Sequence, residues 1–312
     1  MKLGLGLGLN RFRGGQAGVV GLLDAYKGSA FAMSPDTLLY STYSATDDVA
    51  GSTTNGDPGQ WSVTVLRDSD NALRSFTPAE VADGTANTWV QAAGAANGLV
   101  RRGYDQSVTA LDVSNLKHAD QSDPTKMPKL FDSSTGLIVE NGKAAIEFDG
   151  SNDFLITSSG LALPIYNFSV VKYRGIFNNA AAFFGQGVGR LAFGQGNFTP
   201  ANAFWAWTPN VGSSYGEADS RDNLQHLHTY YTPSDIEANW KYYRDSVEKG
   251  EVGLTSGTPL TTAGAGLNIG YSGTDTEYWR GPIQLIITYP SDQSTNRIAI
   301  ETAINNEYSI YP

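Results

Sequence analysis

Asn141-Gly142-Lys143-Ala144-Ala145-Ile146-Glu147-Phe148-Asp149-Gly150-Ser151-Asn152-Asp153-Phe154-Leu155 reads as a turn, a strand, a tight polar turn and the start of a second strand. Asn141-Gly142 is a pair that tolerates the positive φ values of a short hairpin turn. Ala145, Glu147 and Asp149 alternate with Ile146 and Phe148, the period of a strand with one buried face. Asp149-Gly150-Ser151-Asn152-Asp153 is dense in turn formers and in carboxylates.

Outward from this stretch the same grammar repeats. Downstream, strands are predicted near 153–157, 168–174, 180–186, 189–194, 203–207, 225–232, 239–245, 266–271 and 282–289, with Gly and Asn between them. Many short strands at such spacing point to a sandwich or jelly roll. The last element differs: Ile300, Ile304 and Tyr308 recur at i, i+4 and i+8, which predicts a closing amphipathic helix over 294–308. Upstream, Trp61–Arg67, Thr88–Val90 and Gly98–Tyr104 are predicted strands. Thr77-Pro78 is the cap and first residue of a short helix, and 18–26 is a candidate for another. Residues 105–128 read as mostly loop. Leu3, Leu5, Leu7 and Leu9 alternate with Gly, giving one apolar and one bare face if extended. That suits an edge strand of the same domain or an arm that adds to a neighbouring subunit.

Composition narrows the function classes. A net charge of −10 argues against nucleic acid, because phosphate binding needs clustered Lys and Arg. The chain has no cysteine, which removes disulfides, thiol catalysis and thiolate metal sites. No run of 18 apolar residues exists, so membrane insertion by a helix is not expected. Gly at every second step of the N-terminal segment argues against a secretory leader.

Several segments, taken in order, resemble one family: Leu22-Leu23-Asp24-Ala25-Tyr26, Val63–Asn71, Tyr104-Asp105-Gln106-Ser107, Pro128–Asp132, the 141–155 stretch, Leu267-Asn268-Ile269-Gly270 and Trp279–Thr288. The series is similar to tailed-bacteriophage virion proteins that carry a laminin-G-like jelly roll, and to the sandwich domain of arabinofuranosidase B. The resemblance implies an all-β, concanavalin A-like/laminin-G-like β-sandwich (jelly roll) with an extended N-terminal arm and a short C-terminal helix. The arm would be 1–18 and the sandwich 19–312, with a loop-rich first part at 19–135 and the main jelly roll at 136–312. It further implies a non-enzymatic structural protein on the exterior of a phage particle: a capsid decoration, head-fibre or tail-associated subunit. Its partners would be other virion proteins and copies of itself through the Leu3, Leu5, Leu7 and Leu9 arm, with host-surface or environmental glycans as ligands. The runner-up is a glycoside hydrolase of arabinofuranosidase type, and a free lectin is third. Tyr104-Asp105-Gln106-Ser107 continues as Val108-Thr109-Ala110-Leu111-Asp112, where the family has a Gly-Asn-rich loop.

Candidate residues follow from chemistry. A glycosidase needs two carboxyl groups across the sugar. Glu147 with Asp149, Glu217 with Asp219, Asp105, Asp153 and Glu277 are available. Glu147 and Asp149 share a strand face about 6–7 Å apart, although the solvent face of an amphipathic strand looks the same, and no catalytic carboxylate is carried over from the family. No cofactor is expected, except that Asp149, Asn152 and Asp153 offer hard oxygen ligands for calcium. His226 and His228 share a strand face without a third metal ligand at diagnostic spacing, and read as a hydrogen-bonded or exposed pair. Trp205, Trp207, Tyr215 and Trp279 are the candidate glycan-stacking residues, with a core role for the two alternating tryptophans as the competing reading.

Overall fold

The computed structural model describes residues 21–41, 60–107, 117–161, 163–174, 181–186, 191–195, 204–208, 211–215, 222–233, 240–249, 251–255, 266–273 and 277–312. Its organising element is the ten-residue strand Arg280–Tyr289. One edge pairs antiparallel with Ile165–Lys172, from Tyr166↔Tyr289 to Val171↔Ile283. The other edge is shared: Phe31–Met33 takes the C-terminal half and Ile146–Asp149 the N-terminal half. Gln225–Thr232, Lys241–Arg244 and Val247–Lys249 extend this first sheet beyond Ile165–Lys172.

The second sheet begins with Ala72–Phe76, Val63–Arg67 and Gly98–Gly103. It continues through Ala119–Asp120, Leu155–Thr157 and Leu267–Ile269 to Ala181–Gln186. Leu191–Gln195, Phe204–Thr208, Val211–Tyr215 and Glu251–Thr255 complete it. Lys129–Asp132 pairs with both Gly98–Gly103 and Ile146–Asp149 and so joins the two sheets along one side. The all-β sandwich expected from the sequence is the observed architecture, and the sheets are antiparallel throughout.

Two cores explain why the first sheet is apolar on both faces. Between the sheets lie Phe148, Leu155, Phe183, Phe184, Tyr230 and Trp279 among others. On the outer face, Tyr166, Phe168, Leu285 and Ile287 meet Ile300, Ile304 and Tyr308 of the helix Arg297–Tyr308. The helical period predicted the face that is buried. Each fully buried large side chain contributes roughly 1.5–3 kcal/mol over its exposed state, so a strand covered on both sides, such as Arg280–Tyr289, anchors the fold.

Local chemistry sets the turns. Asn141 (φ 46°) and Gly142 (φ 78°) both take positive φ, closing Val139–Glu140 onto Lys143–Ala144. Thr77 caps the helix Pro78–Ala82 in a reciprocal box with Glu80. Two expectations fail. Thr88-Trp89-Val90 lies in the helix Thr85–Gln91, because Ala86 and Val90 bury one helical face and Trp89 meets the Phe76 ring edge-on at 5.5 Å. Within 18–26, the described residues 21–26 form a turn rather than a helix: Asp24 Oδ2 accepts the Gly21 amide at 2.8 Å and its Oδ1 accepts the Ser41 amide at 2.8 Å. Among the described residues no helix is long and apolar enough to cross a membrane.

Candidate functional site

Ile146–Asp149 sits where the two sheets meet, and its register assembles a charged cleft. Glu147 lies opposite Lys129 on one side and Pro282 on the other, and Asp149 lies opposite Arg280. The following turn folds back on this strand: Asp149 Oδ1 accepts the amides of Ser151, Asn152 and Asp153 at 2.7, 3.1 and 3.3 Å. Gly150, at φ 77°, packs against the Arg280 stem. The turn brings Asp153 beneath Asp149, where its Oδ2 accepts the Asp149 amide at 3.0 Å. Lys129, Glu147, Phe148, Asp149, Asp153 and Arg280 line a cleft of about 250 Å³.

The three acids of this cleft differ. Burial pushes the Asp153 carboxyl up to about 7, helped by the nearby Asp149 charge, against its one backbone hydrogen bond. It is therefore about half protonated at pH 7 and largely protonated below pH 6. Burial also raises Glu147, but the Arg174 guanidinium at 3.1 Å opposes it. Glu147 ends a row in which Glu140 pairs with Lys172 at 2.8 Å and with Arg174 at 3.1 Å. Asp149 is the exposed member, and its Oδ2 has no partner among the described residues. A protonated acid beside an exposed carboxylate is the division of labour that acid–base hydrolysis needs.

The remaining expected residues fall elsewhere. Trp279 is fully buried between the sheets, edge-on to Tyr173 at 5.2 Å and Phe183 at 5.4 Å, so it offers no face to a glycan and its expected stacking role is corrected. Trp205, Trp207 and Tyr215 belong to paired strands whose side chains lie outside the described ones. Leu3, Leu5, Leu7 and Leu9, and Glu217 with Asp219, lie outside the described residues altogether. At the calcium candidate, Asp149 and Asp153 spend oxygens on the turn amides. Among the described residues no group of three or more acidic or His side chains is arranged to hold a metal.

His226 and His228 share a face but not an environment. His226 is gripped by Asp245 at 2.6 Å and Asp222 at 2.9 Å. His228 is buried, with Nδ1 2.9 Å from the Tyr242 hydroxyl, and burial holds it well below the usual imidazole range. Asp105 is a clamp rather than a catalyst: its carboxylate accepts the amides of Ala32, Ser107 and Lys117 within 3.0 Å and stitches distant loops together. Sequence reasoning found Glu147, Asp149 and Asp153 but missed Lys129 and Arg280, which only the strand register brings beside them.

No family model matches the sequence, and no curated protein matches it. Solved structures do. An arabinofuranosidase complexed with arabinofuranosyl-α-1,2-xylobiose matches over 93% of this chain and 65% of its own, with TM-score 0.58 and 16% identity. A GH54 α-L-arabinofuranosidase variant soaked with 4-nitrophenyl α-L-arabinofuranoside matches over 93% of this chain and 66% of its own, with TM-score 0.55 and 14% identity. The chain thus spans just under two thirds of the length of each. The likeness is one of fold: this is a β-sandwich of the kind found in arabinofuranosidases. The expectation of a non-enzymatic chain is corrected here, since the solved chains it is similar to are glycoside hydrolases. The virion assignment rests on the sequence resemblance alone.

Proposed function

We propose that the chain is a glycoside hydrolase acting on arabinofuranose-bearing glycans at the cleft of Lys129, Glu147, Asp149, Asp153 and Arg280. The observation that carries this reading is Asp153, a buried acid held near pH 7 beside an exposed carboxylate. In this scheme protonated Asp153 donates to the glycosidic oxygen as the bond to the anomeric carbon breaks. Asp149 takes the proton of the attacking water, and the sugar leaves as the free hemiacetal. Lys129 and Arg280 flank the carboxylates and hydrogen-bond the sugar hydroxyls. The sandwich fold shared with arabinofuranosidases supports the substrate class.

The test is release of 4-nitrophenol from 4-nitrophenyl α-L-arabinofuranoside and of arabinose from arabinofuranosyl-xylobiose. Asp153→Asn is expected to lower kcat at least ~100-fold, the usual contribution of a positioned general acid. A wild-type chain that turns over neither substrate, or an Asp153→Asn chain that keeps its rate, ends this reading. Binding without turnover would leave a lectin on the same cleft.

A further inference from the structure

Two antiparallel segments, 270–273 leaving the second sheet and 277–279 entering the first, meet the wall of the cleft. They are joined by the Trp279 amide donating to the Gly270 carbonyl at 2.9 Å and by a bridge between Tyr271 and Tyr278. Gly270, at φ 81°, lies so close to Phe148 that a Cβ there would run into the ring, and Phe148 lines the cleft. Gly270 is therefore seated against the strand that carries Glu147 and Asp149.

The aromatic residues of these segments form a short stack. Tyr271 and Tyr278 lie parallel, with centroids 4.6 Å apart and planes 12° apart, and Phe154 leans on Tyr271 at 5.7 Å. Tyr271 is the middle ring. Tyr278 ends the stack, and among the described residues no ring covers its other face. Chain alternation fixes where that ring stands. Trp279 points into the core and Arg280 is exposed, so Tyr278 shares the face of Arg280, about 6–7 Å along an extended chain. Arg280 is the cleft residue that faces Asp149 across the register.

We propose that Tyr278 is the stacking platform of a saccharide subsite adjoining the carboxylate cleft, taking the apolar C–H face of a furanose or pyranose ring. The π-face of an aromatic ring is negative and attracts the weakly positive C–H groups of a sugar. Arg280 and Asp149, one short step away, supply the convergent polar contacts that fix orientation in such sites. A half-buried platform already held by Tyr271 and Phe154 loses little freedom on binding. The ligand class rests on the hydrolase reading above, but the platform is read by binding alone.

The test is a calorimetric titration of the full chain with arabinofuranosyl-α-1,2-xylobiose and with xylobiose, run in parallel with turnover of the former. Tyr278→Ala is expected to weaken binding about tenfold and to raise KM with kcat nearly unchanged. Tyr278→Phe, which keeps the π-face, is expected to stay within about twofold of wild type. Tyr278→Leu, which keeps apolar bulk and guards against misfolding, is expected to fall with Tyr278→Ala. Equal affinity in Tyr278→Ala and wild type, equal loss in Tyr278→Phe and Tyr278→Ala, or no binding of either sugar by the wild type would each overturn the proposal. Tyr278-dependent binding without turnover would uphold the platform and sink the hydrolase; turnover indifferent to Tyr278 would do the reverse.

Discussion

Glu301 and Asp153 are both acids taken out of water, one on the closing helix and the other in the cleft where the two sheets meet. Glu301 sits on the buried face of the closing helix with no exposure, and three donors meet it: Arg297 at 2.6 Å, and the hydroxyls of Thr229 and Ser246 each at 2.8 Å. Arg297 in turn stacks over the Tyr243 ring at 3.9 Å. Asp153 lies in the cleft with one backbone donor, and of the charges around it Asp149 acts most strongly and raises its pKa, while Lys129 lowers it. Burial raises the pKa of both. The difference lies in what opposes burial: two hydroxyls and a paired guanidinium for Glu301, and for Asp153 a single amide and the Lys129 charge, set against the Asp149 and Glu147 carboxylates. A buried acid with full partners holds elements together; a buried acid with too few keeps its proton and becomes available for chemistry.

The sharpest way to break this contrast is to remove the partnered acid. Glu301→Ala removes the carboxylate that pairs Arg297 and accepts the Thr229 hydroxyl, and is expected to cost about 3–5 kcal/mol, read as a lower urea midpoint at pH 7. Glu301→Gln keeps the shape and one acceptor and should cost less. A loss below about 1 kcal/mol for Glu301→Ala would mean that the network only decorates the helix contact.

The under-partnered acid should behave in the opposite sense. The folded-state pKa of Asp153, about 7, lies above its unfolded value near 3.8. The folded chain therefore binds the proton more tightly, and stability is lost as pH rises from about 4 through 7. Asp153→Asn removes that dependence. It is expected to stabilise the chain by about 2–4 kcal/mol at pH 8 and to be nearly neutral below pH 4. Urea midpoints of both proteins across pH 4–9 check this, and parallel curves would show that Asp153 is not held protonated.

The two acids also differ in how far the sequence reveals them. Ile300, Ile304 and Tyr308 announce the helix face by period, but Glu301 looks like an ordinary surface position until Ser246 and Thr229 are brought under it. Asp153 stands out in a turn dense with carboxylates, yet Lys129 and Arg280 reach it only through strand pairing between segments far apart in the chain. Phe31–Met33 was missed because it is buried on both faces: Phe31 and Met33 enter one core and Ala32 the other, which erases alternation. Trp279 and Tyr278 show the cost of one residue of phase. Alternation says that one faces in and the other out, and only the register says which.

His226 supplies the charge-reversed case and the smallest expected effect. Burial disfavours its imidazolium, but the hydrogen bond and charge of Asp245, and then Asp222, outweigh this and raise its pKa. Arg244 and His228 are the other titratable groups nearby; His228 is held neutral and leaves the ring its two carboxylates. A neutral imidazole has one N–H for two acceptors, so deprotonation leaves one aspartate facing a lone pair. The grip is therefore complete below the ordinary imidazole range near 6.5 and is lost as pH rises through the raised folded-state value. His226→Asn is expected to cost on the order of 1–2 kcal/mol at pH 5.5 and distinctly less at pH 9. A cost that does not change with pH would show that His226 is held for its shape, and that a carboxylate on each side of a buried ring is no more than a packing choice.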